Sequence, residues 1–199
     1  NENTQLIGGH TSEGEQCIFG FSVNGLIDEN KVLNKSKLNK GDALILTKAI
    51  GTGTILAANM RARAKGLWVD KAIESMLTSN RKAVDIIMSH GGTACTDITG
   101  FGLAGHLLEM LERKKLKANI NLSNIPILDG AEEAISKEIF STLQNKNENF
   151  SAHINDHSKL AQLPSYKLLF DPQTAGGLLA GIPKNQAEGC LNDLANNGY

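Results

Sequence analysis

The chain has no cysteine pair spaced to grip a metal, no surplus of charge of either sign, and no long apolar run. Its three cysteines, Cys17, Cys95 and Cys190, are odd in number and far apart, with no CxxC pair. That pattern speaks against a disulfide frame or a zinc site and fits reduced thiols in a cytoplasmic protein. Twenty Lys and Arg against 21 Asp and Glu leave a net charge of −1. No basic surplus draws such a chain onto nucleic acid, and it carries no acidic tail. No apolar run approaches the roughly 20 residues that span a bilayer, so no membrane partner is expected. The N-terminus, Asn-Glu-Asn-Thr-Gln, has neither the basic nor the apolar region of a secretory signal. It also lacks an initiator Met, which suggests a processed chain or an excised fragment. There is no internal repeat of fixed period. What remains is an ordinary globular composition, 199 residues with 41% hydrophobic and 21% charged. That length suffices for one good-sized core, or one domain plus a piece of another.

Periodicity supplies the elements. Residues 16–27 alternate as a strand does, with Ile18, Phe21, Val23 and Leu26 as the apolar members. Lys31–Lys40 reads as a polar linker ending in the Lys40-Gly41-Asp42 turn, and Ala43–Leu46 as a buried strand. Helices are expected over Ile55–Arg63, over Val69–Leu77, and from Ser79 or Asn80 through Ile87, where Gly91 and Gly92 break the pattern. Ala118–Leu122 reads as a strand, Asp129–Lys137 as a helix, and Asn145–Asn149 as an exposed polar loop. Tyr166–Phe170 and Leu178–Ile182 read as adjacent short strands. A helix over Gln186–Ala195 closes the chain, with Gly198 near its C-terminal cap. Strands alternating with helices and long connections point to an α/β or α+β layered fold.

Four glycine-rich clusters interrupt this pattern. The most informative is Thr96-Asp97-Ile98-Thr99-Gly100-Phe101-Gly102-Leu103-Ala104-Gly105-His106. There a single carboxylate stands where an apolar segment meets a glycine turn, followed by an amphipathic helix carrying Leu103, Leu107, Leu108 and Leu111. A carboxylate at a strand end suits a hard cation such as Mg²⁺, which keeps several waters and bridges to substrate phosphates. On spacing alone the simpler reading is that Asp97 caps the following helix. Gly8-Gly9-His10-Thr11 exposes backbone N–H groups that can cradle phosphate, or forms a tight turn with an incidental histidine. Gly51-Thr52-Gly53-Thr54 stands at a strand-to-helix junction but lacks the lysine and spacing of a P-loop, so it reads as structural. Asp171-Pro172-Gln173-Thr174-Ala175-Gly176-Gly177 offers Asp171 and Gln173 as ligand groups, although a turn explains its Pro and glycines equally well. His106 reads as a structural histidine, and Glu112–Lys117 as a solvated helix end.

In this order, and with Gly41–Lys48 leading into Gly51-Thr52-Gly53, the four clusters resemble the selenophosphate synthetase (selenide, water dikinase) family. The resemblance spans roughly residues 7–183. It implies a fold of the aminoimidazole ribonucleotide synthetase-like superfamily, with two α/β domains and a homodimer formed through the N-terminal ones. Residues 1–28 would then be a remnant of the N-terminal domain, and residues 29–199 the C-terminal domain, a mixed sheet covered by helices. The implied reaction converts ATP, selenide and water into selenophosphate, AMP and orthophosphate. The implied sites are Asp97 as a Mg²⁺ ligand, and Gly8, Gly9 and His10 as part of the partner subunit's nucleotide site.

The departures matter as much. The family's catalytic Cys or selenocysteine and its Lys belong to a segment upstream of the Gly-Gly-His motif, and neither Cys17, Cys95 nor Cys190 maps onto it. No catalytic residue is therefore assigned within this chain, which reads as a C-terminal portion, inactive alone. Two other readings keep the fold: a superfamily relative phosphorylating another acceptor, and a non-catalytic interaction or regulatory module.

Overall fold

The computed structural model describes residues 4–199. The chain divides into two compact units, Asn1–Val32 and Leu33–Tyr199. In the first, the described residues hold a single 3-10 turn, Glu29–Lys31, begun by Asp28, whose side chain accepts from the Asn30 N–H at 2.9 Å. The strand expected over 16–27 is not formed. Its alternation is real, but a strand also needs neighbours for its backbone N–H and C=O groups. Residues 4–32 offer none, and Ile18, Phe21, Val23 and Leu26 stay exposed.

The second unit is built on a three-stranded sheet of β1 (Ala43–Leu46), β2 (Ala94–Asp97) and β3 (Leu178–Ile182), in the order β1-β3-β2. Both pairings are antiparallel, with Ile45 opposite Ala180 and Asp97 opposite Leu178. β1 and β2 therefore run the same way, and their carboxyl ends share one edge of the sheet with the start of β3. Among the described residues one isolated parallel bridge, Ile50 with Ile127, lies outside these strands.

Nine α-helical segments surround the sheet among the described residues: α1 (Thr52–Met60), α2 (Gly66–Leu77), α3 (Arg81–Ser89), α4 (Gly102–Glu112), α5 (Ala131–Ser136), α6 (Gln144–Asn147), α7 (His157–Leu160), α8 (Pro164–Lys167) and α9 (Ala187–Asn196). Alternation along the strands sorts two cores. Ala94 and Leu179 pack with Ile50, Ile55, Leu103 and Met110 on one face. Ile45, Leu178, Ala180 and Ile182 pack with Ile86 and Ile87 of α3 and Cys190 and Leu194 of α9 on the other. β3 lies in the middle and is buried at all five positions. This is the layered arrangement of helices on a sheet that the sequence implied. No helix among the described residues is long and apolar enough to cross a membrane.

Three local expectations fail for identifiable reasons. Residues 118–121 carry no ladder, and Leu122–Asn124 turns as a 3-10 helix because the Asn121 side chain accepts from the Ser123 N–H at 3.1 Å. Short polar side chains of this kind compete with a ladder for backbone groups. Tyr166–Phe170 is helical, spanning α8 and a 3-10 turn, because Pro164 presets φ at the start. Residues 145–149 are exposed as expected except for Asn147, but they are helical and not a loop, and Asn147 at the end of α6 is only 4% exposed. Its Nδ2 donates to the carbonyls of Gly100 (2.8 Å) and Phe170 (3.0 Å).

Candidate functional site

Asp97 is the last residue of β2 and its side chain is exposed. Ile98, fully buried, plugs the next position into the core, and its N–H donates to the Gly177 carbonyl at 2.8 Å. The chain then turns through Thr99 and Gly100 into α4. Gly102 makes that turn possible: its φ is +67°, and a Cβ there would stand 2.8 Å from the Leu169 carbonyl oxygen. Only glycine satisfies both conditions. Phe101 occupies the N-cap position of α4 without a side-chain cap bond, so Asp97 does not cap this helix. It leaves strand β2 as an exposed carboxylate whose side chain has no hydrogen-bond partner among the described residues. His106 is buried behind the turn, with Nε2 3.3 Å from Thr99 Oγ1. The Glu109 carboxylate stands 3.4 Å from its Nδ1 without hydrogen-bond geometry. That is a structural histidine holding the turn to its own helix.

The Gly51–Thr54 and Asp171–Gly177 clusters, far apart in sequence, form one buried knot. Gln173 Oε1 accepts from the N–H groups of Gly51 (2.9 Å) and Thr52 (3.1 Å) and from Thr52 Oγ1 (3.1 Å). Gln173 Nε2 donates to the Asp171 carboxylate at 3.0 Å, and Thr54 Oγ1 donates to it at 2.9 Å. The positive end of the α1 dipole thus faces the protein's own carboxylate. Burial pushes the Asp171 carboxyl up to about 6, while the Thr54 and Gln173 donors and the Gly53 and Thr54 backbone pull it down. Asp171 and Gln173 thus spend their side-chain groups on internal hydrogen bonds.

The Gln173 N–H donates to the Thr99 carbonyl at 2.9 Å, so this knot also grips the Asp97 turn. Gly8, Gly9 and His10 lie in the other unit, exposed, and a Cβ at either glycine would meet nothing within 4 Å. The 51–54, 96–106 and 171–177 clusters are brought together; the 8–10 cluster belongs to the other unit. A groove of about 860 Å³ runs along the free edge of β1, lined by Leu44, Leu46, Leu107 and Ile120 among others. None of its lining residues is Asp97.

Among the described residues no three His, Cys, Asp or Glu side chains cluster to hold a metal. A lone exposed carboxylate still fits Mg²⁺ in part, because that ion is commonly held by one or two carboxylates, several waters and substrate phosphates. Asp97 is suited to be one ligand of such a site and cannot be the whole of it.

Residues 39–199 match the model of the AIR synthase related protein, C-terminal domain. The chain belongs to this family. Among the relatives of this AIR synthase-related chain is the selenide, water dikinase of Clostridioides difficile, 34% identical over 193 residues, covering 97% of this chain and 56% of the relative. The selenide, water dikinase of Treponema denticola is 35% identical over 192 residues, covering 96% and 53%. The chain thus spans about half the length of the curated relatives it matches. Solved structures place the fold in the same company. Hydrogenase maturation protein HypE superposes with a TM-score of 0.57 at 17% identity, covering 86% of this chain and 44% of that one. Thiamine-monophosphate kinase from Stenotrophomonas maltophilia gives 0.56 at 13%, covering 86% and 48%.

Proposed function

We propose that this AIR synthase-related chain is the C-terminal portion of an ATP-dependent selenide kinase, which makes selenophosphate, AMP and orthophosphate from ATP, selenide and water. The observation that carries the reading is Asp97. It is an exposed carboxylate at the carboxyl end of β2, unpartnered among the described residues and inside a motif resembling that of the selenide, water dikinase family. In the reading Asp97 holds one Mg²⁺, and Gly8, Gly9 and His10 contribute backbone donors and an imidazole to the nucleotide site of the partner subunit in a homodimer. Bound there, Mg²⁺ supplies neutralisation of phosphate charge as phosphoryl groups transfer. This chain's own residues do the positioning. The Gln173–Thr52 knot fixes the loop behind the turn, Gly102 allows α4 to start close against that loop, and Asn147 ties down the Gly100 carbonyl.

The residues that attack or protonate substrate belong, in this reading, to a segment outside the chain, which would be inactive by itself in the cytoplasm. The test follows ATP by phosphorus NMR with Mg²⁺, with and without selenide, in the protein at the length of its relatives. Selenide-dependent AMP and a selenophosphate signal are expected. Nucleotide turnover indifferent to selenide would assign the chain to a relative acting on another acceptor, and no turnover would leave a non-catalytic module.

A further inference from the structure

Lys48, two residues beyond β1, is only 8% exposed. Burying an ammonium costs several kcal/mol unless it is paired or fully hydrogen-bonded. Among the described residues it has no carboxylate within ion-pair distance. Its Nζ donates instead to two backbone carbonyls, Thr78 at 2.5 Å and Ala175 at 3.2 Å. Burial accordingly lowers its pKa. The ammonium is held by these two carbonyls in place of a carboxylate.

The two carbonyls come from separate segments. Thr78 closes α2 and leads into the α3 turn, while Ala175 lies in the loop that precedes β3. Asn80 ties the same two segments again, its Nδ2 donating to the Gly176 carbonyl at 2.9 Å. Ala175 has φ of +48°, a left-handed conformation that costs an L-residue roughly 1–2 kcal/mol and persists only where surroundings enforce it. Lys48 is one of those surroundings, through the Ala175 carbonyl. The Asp97 turn is hung from this same loop. The Ile98 N–H donates to the Gly177 carbonyl on one side of Ala175, and the Gln173 N–H donates to the Thr99 carbonyl on the other. Gly177 packs directly on the Lys48 backbone, where a Cβ would stand 2.6 Å from the Lys48 nitrogen.

We infer that Lys48 is a positioning residue for Asp97: its ammonium clamps the Thr78 and Ala175 carbonyls and thereby fixes the 173–177 loop on which the Asp97 turn hangs. This rests on the reading of Asp97 as the cation-binding carboxylate. In this inference Lys48 acts through the loop that it holds. Methionine at this position has nearly the same reach but donates no hydrogen bond, so the two carbonyls lose their clamp and the loop gains freedom.

The experiment compares Lys48→Met, Ala175→Gly and the double variant with the unsubstituted protein at the length of its relatives, well below the melting temperature. Hydrogen exchange is read over 96–101 and 173–178, and the Mg²⁺ dependence of nucleotide turnover beside it. Lys48→Met is expected to speed exchange in those two stretches and not in α9. It is also expected to raise the Mg²⁺ concentration for half-maximal turnover and to lower kcat/KM by up to about a hundredfold, the scale of a small misplacement. Ala175→Gly alone is expected to be nearly silent, and in the double variant to recover part of the loss, because glycine takes the positive φ without strain. Exchange and Mg²⁺ dependence unchanged in Lys48→Met would overturn the inference. So would a loss that tracks melting temperature with exchange rising across the whole unit, since Lys48 would then be core support only. Turnover indifferent to selenide in the unsubstituted protein would overturn the selenide reading instead, and the exchange result would still decide Lys48.

Discussion

Single residues give the sharpest consequences. Asp171 is fully buried and its carboxyl is pushed up to about 6, against 3.8 ordinarily. Between those values the folded chain holds a proton that the unfolded chain releases, so stability gains as pH falls from about 6 toward 4 and loses as pH rises through that window. Urea midpoints across pH 4–7 are expected to show this slope, and Asp171→Asn is expected to flatten it. Asp171→Ala removes the acceptor for Thr54 and Gln173 and is expected to cost about 1–3 kcal/mol by urea denaturation. Cys95 is pushed up to about 11, chiefly by burial and further by the charge of Asp97, so its thiol stays protonated at pH 8. Iodoacetamide is expected to label exposed Cys17 first and to leave Cys95 and buried Cys190 unmodified, as peptide mass spectrometry would read.

At the scale of elements, the helices were legible because their apolar spacing is dense and long. α2, α3, α5 and α9 lie within a few residues of where periodicity put them, and Gly198 takes φ of +85° just past α9. β1 and β3 were legible as short apolar runs. The strands that failed show how much a strand depends on a partner that its own sequence does not name, and how local chemistry can displace it. Residues 16–27 alternate well and pair with nothing, while 166–170 are as apolar as a strand and yet wind behind Pro164. Asn147 shows the converse, a polar residue buried because two carbonyls distant in sequence await a donor. The α4 start tests the geometry. Gly102→Ala must oppose a positive φ and a backbone contact at once, and is expected to destabilise by about 1–3 kcal/mol or more, with the urea midpoint as the measure.

At the scale of the molecule, the sheet brings the carboxyl ends of β1 and β2 and the loop before β3 to one edge, and there three of the four glycine clusters meet. The sequence marked those clusters as unusual but could not divide the labour among them. Asp171 and Gln173 looked as ligand-like as Asp97, and only the fold shows them turned inward onto α1 while Asp97 faces out. Lys48 stood inside a quoted motif with no role, because burial without a carboxylate partner leaves no mark in composition. Gly8, Gly9 and His10 are exposed in the smaller unit.

The most direct test of this account is selenide-dependent AMP formation by the protein at the length of its relatives, with Asp97→Asn beside the unsubstituted form. Asp97 is exposed and has no side-chain partner among the described residues, so the substitution is expected to shift stability by no more than about 0.5 kcal/mol. The account predicts a folded Asp97→Asn protein with unchanged melting temperature and no selenide-dependent AMP. AMP formation at the unsubstituted rate would contradict it and remove Asp97 from the cation site.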